Sequence, residues 1–166
     1  MKIAELLQSL ADAQVAYVLV GGLAVQLHGY MRATLDIDLV LALDDGNLER
    51  FIAVAKKYGL QPNIPVPLEA LRDANQIETW HREKGMLAFS LREPQPGGKV
   101  VDILVRPPLS FERLEQNAIT GELFGRKVMI ASIDDLLALK RHASRPRDLL
   151  DIEALEKIRR GEDPNV

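Results

Sequence analysis

The chain contains no cysteine. Its absence rules out both a disulfide framework and any thiolate metal site. The three histidines, His28, His81 and His142, are scattered and make no metal-ligand spacing. No apolar run approaches the roughly 18 residues that a membrane span needs. The start, Met1-Lys2-Ile3-Ala4-Glu5, lacks the pattern of a signal peptide, so the expected location is the cytoplasm, with no membrane partner. The familiar phosphate loops are missing too, since there is neither a Gly-x-Gly-x-x-Gly nor a Gly-Lys-Ser/Thr run. A net charge of −3 argues against broad, salt-sensitive coating of nucleic acid. Internal repeats and low-complexity segments are likewise not found.

What is there fits an ordinary globular domain. A length of 166 residues with 47% hydrophobic side chains supplies one proper core and leaves no room for two large domains. Charge is unevenly placed: residues 1–50 hold three basic and seven acidic side chains, whereas residues 126–160 hold nine basic and six acidic. A polyanionic substrate would therefore be received toward the C-terminal part, the alternative being a solvated helix face.

Periodicity predicts the elements. Ile3, Leu6, Leu7 and Leu10 form a helical stripe that leads into a strand over 15–20. Gly21-Gly22 ends that strand and opens a short helix reaching Leu27, with Gly29 as its stop. A second strand spans 35–43, and a helix runs from Asp44-Asp45 to about Tyr58. Residues 59–67 read as loop, and 68–80 as helix with Trp80 as a packing residue. Strands over 86–91 and 99–105 are joined by Pro94-Gln95-Pro96-Gly97-Gly98, and a further hairpin centres on Gly125-Arg126. Ser132 with Asp135 marks a helix start, and Pro146 suits the first position of a last helix ending near Arg160. This gives a core over 1–131, a C-terminal helical hairpin over 132–160 packed on it, and a flexible tail over 161–166.

The candidate chemistry lies in the run Leu35-Asp36-Ile37-Asp38-Leu39. Residues two apart on a strand share a face at roughly 6.5–7 Å, so Asp36 and Asp38 point into the same space and Ile37 into the core. Two carboxylates in an apolar strand are costly unless a cation stands before them. Mg2+ or Mn2+ is the expected partner, because Mg2+ is usually held by one or two carboxylates plus substrate phosphates. Asp102, in Val100-Val101-Asp102-Ile103-Leu104-Val105, is a third carboxylate of this kind and joins the pair if its strand neighbours theirs. Val40 excludes an EF-hand, as it stands where the loop's next side-chain oxygen ligand belongs.

Around these lie candidate phosphate contacts. Gly21 and Gly22 present backbone amides without an intervening side chain. Arg32 either offsets carboxylates or binds phosphate bidentately, and Thr34 either orients the loop or touches the nucleotide. Lys140 falls on the apolar stripe of Ile133, Leu136 and Leu137. It snorkels past the core edge, pairs with Asp148 or Asp151, or reaches a triphosphate.

The segment from Gly21 to Leu39, with its glycine pair and Asp36-x-Asp38, resembles the nucleotidyltransferase superfamily, which shares a fold with polymerase beta. It is most similar to small bacterial proteins related to AbiEii-type toxin nucleotidyltransferases. Leu139-Lys140-Arg141 and Arg145-Pro146-Arg147-Asp148-Leu149-Leu150-Asp151-Ile152 resemble the C-terminal helical signature of that group. The resemblance implies an α+β fold, a mixed β-sheet flanked by helices with the C-terminal hairpin beside it. It implies that Gly21 and Gly22 cradle a nucleoside triphosphate, that Asp36 and Asp38 bind two metal ions, and that Asp102 completes the catalytic ion's site. One departure is Gly22, where many members carry a serine whose hydroxyl meets phosphate.

The function so implied is metal-dependent transfer of a nucleoside monophosphate from a triphosphate to a hydroxyl of RNA, protein or a small molecule. The protein would then be the toxin of a toxin–antitoxin pair, with an antitoxin protein as possible partner. Arg126, Lys127, Arg141 and Arg145 are the candidates for an RNA-facing surface. Two alternatives are a catalytically inactive fold that keeps nucleotide or partner contacts, and an Asp-x-Asp glycosyltransferase. The retained aspartates disfavour the first, and the short chain and unexplained glycine turn the second.

Overall fold

The computed structural model describes residues 1–166. Helix α1 (Ile3–Asp12) buries Ala4, Leu6, Leu7 and Leu10, the stripe its sequence predicts. Strand β1 (Tyr17–Val20) is buried at every position, as a central strand covered on both faces must be. It turns directly into α2 (Gly21–Leu27). Strand β2 (Asp36–Leu41) follows, and then α3 (Asp45–Lys57), where the Asp44 carboxylate accepts from the Asn47 backbone N–H at 2.9 Å.

Asn47 does more than sit in that first turn. Fully buried, its side chain accepts from the Ala16 N–H at 2.7 Å and donates to the Ala16 and Ala42 carbonyls at 3.0 and 2.8 Å. It thereby satisfies the Ala16 N–H just before β1 and the Ala42 carbonyl just past β2, which lack other partners, and reinforces the Ala16 carbonyl, which also accepts from the Ala42 N–H at 3.2 Å.

The middle of the chain departs from the sequence pattern in three places. Residues 59–67 contribute a two-residue edge strand, β3 (Gln61–Pro62). The helix expected over 68–80 is two elements, a 3-10 turn (Leu68–Arg72) and α4 (Ala74–Lys84). Asp73 divides them, its carboxylate accepting from the Gln76 N–H at 3.0 Å and so starting a new helix. After β4 (Ala88–Arg92) and β5 (Val100–Leu104), a short helix α5 (Phe111–Asn117) begins at Ser110, a seven-residue element too brief to show a period. The hairpin β6 (Ile119–Leu123) and β7 (Arg126–Ile130) precedes α6 (Ile133–Ala143) and α7 (Pro146–Arg159). Ser132 caps α6 by accepting from the Asp135 N–H at 3.2 Å, and Pro146 opens α7.

The seven strands form one mixed sheet in the order β3-β4-β5-β2-β1-β7-β6. The pairs β2–β5 and β1–β7 are parallel and the others antiparallel. Leu136, Leu137 and Leu155 of the helical hairpin join Leu19, Ile37, Leu39 and Ile103 of the sheet in a single core cluster. The last residues fold back on the loop after α2: Asn165 accepts from the Met31 N–H at 2.8 Å and donates to the Gly29 carbonyl at 3.1 Å. No helix is long and apolar enough to cross a membrane.

Candidate active site

The register of the central strands decides which side chains meet. Asp38 of β2 lies opposite Asp102 of β5 on one side and Val20 of β1 on the other. Neighbouring strands run about 4.8 Å apart, and paired residues face the same way, so the third carboxylate joins the first two on one sheet face. One step further out, Ser90 of β4 lies opposite Asp102 and its hydroxyl donates to Asp102 Oδ1 at 2.5 Å. That bond fixes one carboxylate oxygen and leaves the other for the cleft. Ser90 carries no motif, and only the register of the hairpin centred on Gln95–Gly97 points to it.

Asp36, Asp38 and Asp102 all line a cleft of about 420 Å3 together with Gly21, Gly22, Arg32, Thr34 and Lys140. Every residue singled out in the sequence for catalysis, metal or nucleotide is thus drawn to one place. Of the four basic residues considered for an RNA-facing surface, only Arg145 reaches this cleft. Arg126 and Lys127 sit on the outer hairpin, and Arg141 pairs with Glu156.

Asp38 is the most strained electrostatically. Burial, and then the adjacent Asp102 and Asp36 carboxylates, push its pKa up to about 6, with Lys140 and Arg145 pulling the other way. None of the three carboxylates makes an ion pair with the protein's own cations. They approach without closing into a ready group of three metal ligands.

The glycine turn is shaped around them. Gly21 adopts φ +69°, and a Cβ there would fall 2.0 Å from Asp38 Oδ2, so only glycine lets this carboxylate lie against the turn. At Gly22 a Cβ would stand 3.1 Å from the Arg32 guanidinium carbon and 3.2 Å from Thr34 Oγ1.

On the helix side, charges are paired. Lys140, buried on the apolar stripe of α6, bonds Asp148 at 3.1 Å and Asp151 at 2.7 Å, so the ion-pair alternative holds with both partners. Asp151 also receives Arg32, and Asp148 receives the Arg145 guanidinium at 2.9 Å and the Arg145 backbone N–H at 3.0 Å. Burial alone would raise the Asp148 pKa, but hydrogen bonds from Arg145 and Lys140 outweigh it and hold it below the ordinary carboxylate value. Three cations around two carboxylates leave one positive charge in excess, beside a cluster of unpaired aspartates.

The donor set fits a hard divalent cation. Three carboxylates share one face, Lys140 and Arg145 offset their mutual repulsion only in part, and glycine at position 21 lets Asp38 lie against the turn.

Comparisons with known proteins bear on the family and the fold. A family model described as the nucleotidyl transferase AbiEii toxin, type IV TA system, matches residues 5–165. Among solved structures, ANT(2'')-Ia in complex with adenylyl-2''-tobramycin superposes with a TM-score of 0.57 at 14% identity, over 96% of this chain and 93% of that one. The lincosamide antibiotic adenylyltransferase LnuA, lincomycin-bound, gives 0.57 at 19% identity over 93% and 94%. An antigenic nucleotidyltransferase-like protein from Paracoccidioides brasiliensis gives 0.57 at 20% identity over 92% and 72%. At these identities the likeness is one of fold. No curated protein matches the sequence.

Proposed function

Since the chain belongs to the AbiEii nucleotidyl transferase toxin family, we propose that its cleft moves a nucleoside monophosphate from a nucleoside triphosphate to a hydroxyl acceptor with a divalent cation bound. Nucleotidyl transfer is the activity of the family; the metal, the residue roles and the toxin role are the proposal. The observation that carries it is the meeting of Asp36, Asp38 and Asp102 on one sheet face, without protein counter-ions, beside the glycine turn.

Asp36 and Asp38 would hold Mg2+ or Mn2+, with Asp102 completing the site. The ion would neutralise charge on the triphosphate and lower the pKa of the attacking hydroxyl. Asp102, with one oxygen fixed by Ser90, would take the acceptor's proton as well as ligate. Gly21 and Gly22 leave the turn open for phosphate to approach, and Arg32, Thr34 and Lys140 supply donors beside it. The excess positive charge of Lys140, Arg32 and Arg145 over Asp148 and Asp151 would face a polyanion favourably. RNA, protein or a small molecule as acceptor, and an antitoxin as partner, belong to the same reading of a toxin in a two-component system.

Purified protein incubated with each labelled triphosphate, Mg2+ or Mn2+, and bulk RNA or protein tests this beside Asp36→Ala. Label transfer by the native chain and its loss in the variant is the expected result. Triphosphate binding with no transfer under any condition would instead make the protein an inactive member that keeps only its ligand.

A further inference from the structure

The sheet ends differently on its two sides. At one edge β3 is two residues long and one of them is Pro62, so little backbone is offered there. At the other edge β6 runs for five residues, Ile119-Thr120-Gly121-Glu122-Leu123, with no proline and no bulge in its register with β7. Its outer backbone groups make no hydrogen bond elsewhere in the chain. Leu123 and Arg126 close a two-residue turn, so Thr120 and Glu122 are the residues whose N–H and C=O point outward.

The turn at the end of that strand is unusual as well. Both of its central residues, Phe124 and Gly125, have positive φ, +50° and +76°. Such turns favour asparagine, aspartate or glycine at the first position, and a bulky side chain there is strained. Phe124 is moreover 85% exposed, so packing within the chain returns little for that strain.

We propose that β6 is a self-association edge, at which two copies of this chain pair antiparallel about a two-fold axis at Gly121 and join their sheets into one. The strand is self-complementary in this arrangement. Ile119 meets Leu123 of the other copy, Thr120 meets Glu122, and Gly121 meets itself. Thr120 and Glu122 are the residues with outward backbone groups, so the ladder closes in phase, and the threonine hydroxyl donates to the facing carboxylate. Glu122 lies opposite Lys127 of β7, which keeps the two edges from repelling each other. Phe124, just past the strand, falls level with Ala118 of the other copy, and the pairing covers both it and the half-exposed Ile119. Strands β7 and β1 stand between β6 and the aspartate-bearing β2, and no residue of β6 lines the cleft. Self-association is thus independent of what the cleft binds.

One strand pair with one aromatic is a small patch beside the roughly 1,200 Å2 of a stable dimer, so a reversible association is expected, with a dissociation constant on the order of 10–100 μM. Sedimentation velocity of the full chain from about 1 to 300 μM tests it, beside Thr120→Pro and Phe124→Asn, with melting temperatures alongside. The native chain should pass from monomer to dimer across that range. Thr120→Pro removes an N–H that the hairpin does not use, and should leave the chain monomeric with melting near native. Phe124→Asn should weaken the dimer by about tenfold while raising the melting temperature of the dilute monomer, which a packing role for Phe124 would lower. Because the chain has no cysteine, introduced ones report the register. Thr120→Cys mixed with Glu122→Cys should form a disulfide-linked dimer on oxidation, and neither variant should do so alone. A native chain that stays monomeric throughout overturns the proposal. So does a dimer that survives Thr120→Pro, or one that gives no crosslink in the mixture, and the crosslink decides alone where Thr120→Pro fails to fold.

Discussion

Across one cleft, the carboxylates of β2 and β5 face open space with no cation of the protein in ion-pair reach, whereas Asp148 and Asp151 of α7 are each bound by two. Both groups are carboxylates set among apolar neighbours, and the fold treats them oppositely. On the helix side pairing holds the Asp148 pKa down, so the charges are part of the structure. On the sheet side burial and like charge push Asp38 up to about 6 despite the opposing pull of Lys140 and Arg145, so the folded chain carries a repulsion that its own cations relieve only in part. An unpaired cluster beside a fully paired one is the reason for proposing a ligand at the sheet side.

The comparison breaks most visibly in activity. Asp36→Ala should lower nucleotide transfer by about 10²–10³-fold or more while leaving the melting temperature near native, as measured by label incorporation beside a thermal scan. Loss of stability in step with activity would mean that Asp36 is a structural residue.

Lys140→Met asks the converse question on the helix side. It leaves Asp148 and Asp151 buried with fewer cations, and should destabilise the fold by about 3–5 kcal/mol in urea unfolding. A change near zero would show that Arg32 and Arg145 suffice and that Lys140 is present for the ligand alone.

Asp38→Asn should do the opposite and stabilise the metal-free protein, on the order of 2 kcal/mol at pH 7.5. The sign follows from a folded pKa pushed up to about 6, above the ordinary aspartate value. Above pH 6 the folded state holds a charge it disfavours, so the gain over native is full there and fades as pH falls through 6 toward 4. Unfolding curves of both chains at pH 4.5 and 7.5 check it, and a gain that grows on acidification would reverse the account.

A smaller effect is expected from Ser90→Ala, which frees Asp102 Oδ1 without removing a ligand. Loss of the orienting hydroxyl should weaken Mn2+ binding by about tenfold with little change in melting. Recovery by Ser90→Thr would separate the hydroxyl from its bulk.

How much of this could be read from the chain depended on distance along it. Asp36 and Asp38 share a face because of a two-residue spacing, and the Ser132 cap and the Pro146 start are equally local, so pattern alone places them. Asp102 was conditional, because the parallel pairing of β2 with β5 is set by the whole sheet and no local period encodes it. The same holds for Ser90, which has no chemical signature until the hairpin register is known. Lys140 stood out as an amine on an apolar stripe, yet that one lysine bridges both aspartates of the next helix appears only when α6 and α7 are packed. The split at Asp73 is hidden in the sequence for a different reason: a capping aspartate inside a helix-like pattern competes with the period around it, and here the cap wins.

The central claim is that the unpaired aspartates are a site for a divalent cation with a triphosphate, and Mn2+ titration followed by electron paramagnetic resonance in the presence of a non-reacting nucleoside triphosphate tests it most directly. Mn2+ should bind the native chain at pH 7.5, and binding should be lost in Asp38→Asn although that variant is expected to be the more stable protein. Equal Mn2+ and nucleotide binding by the two chains would contradict it.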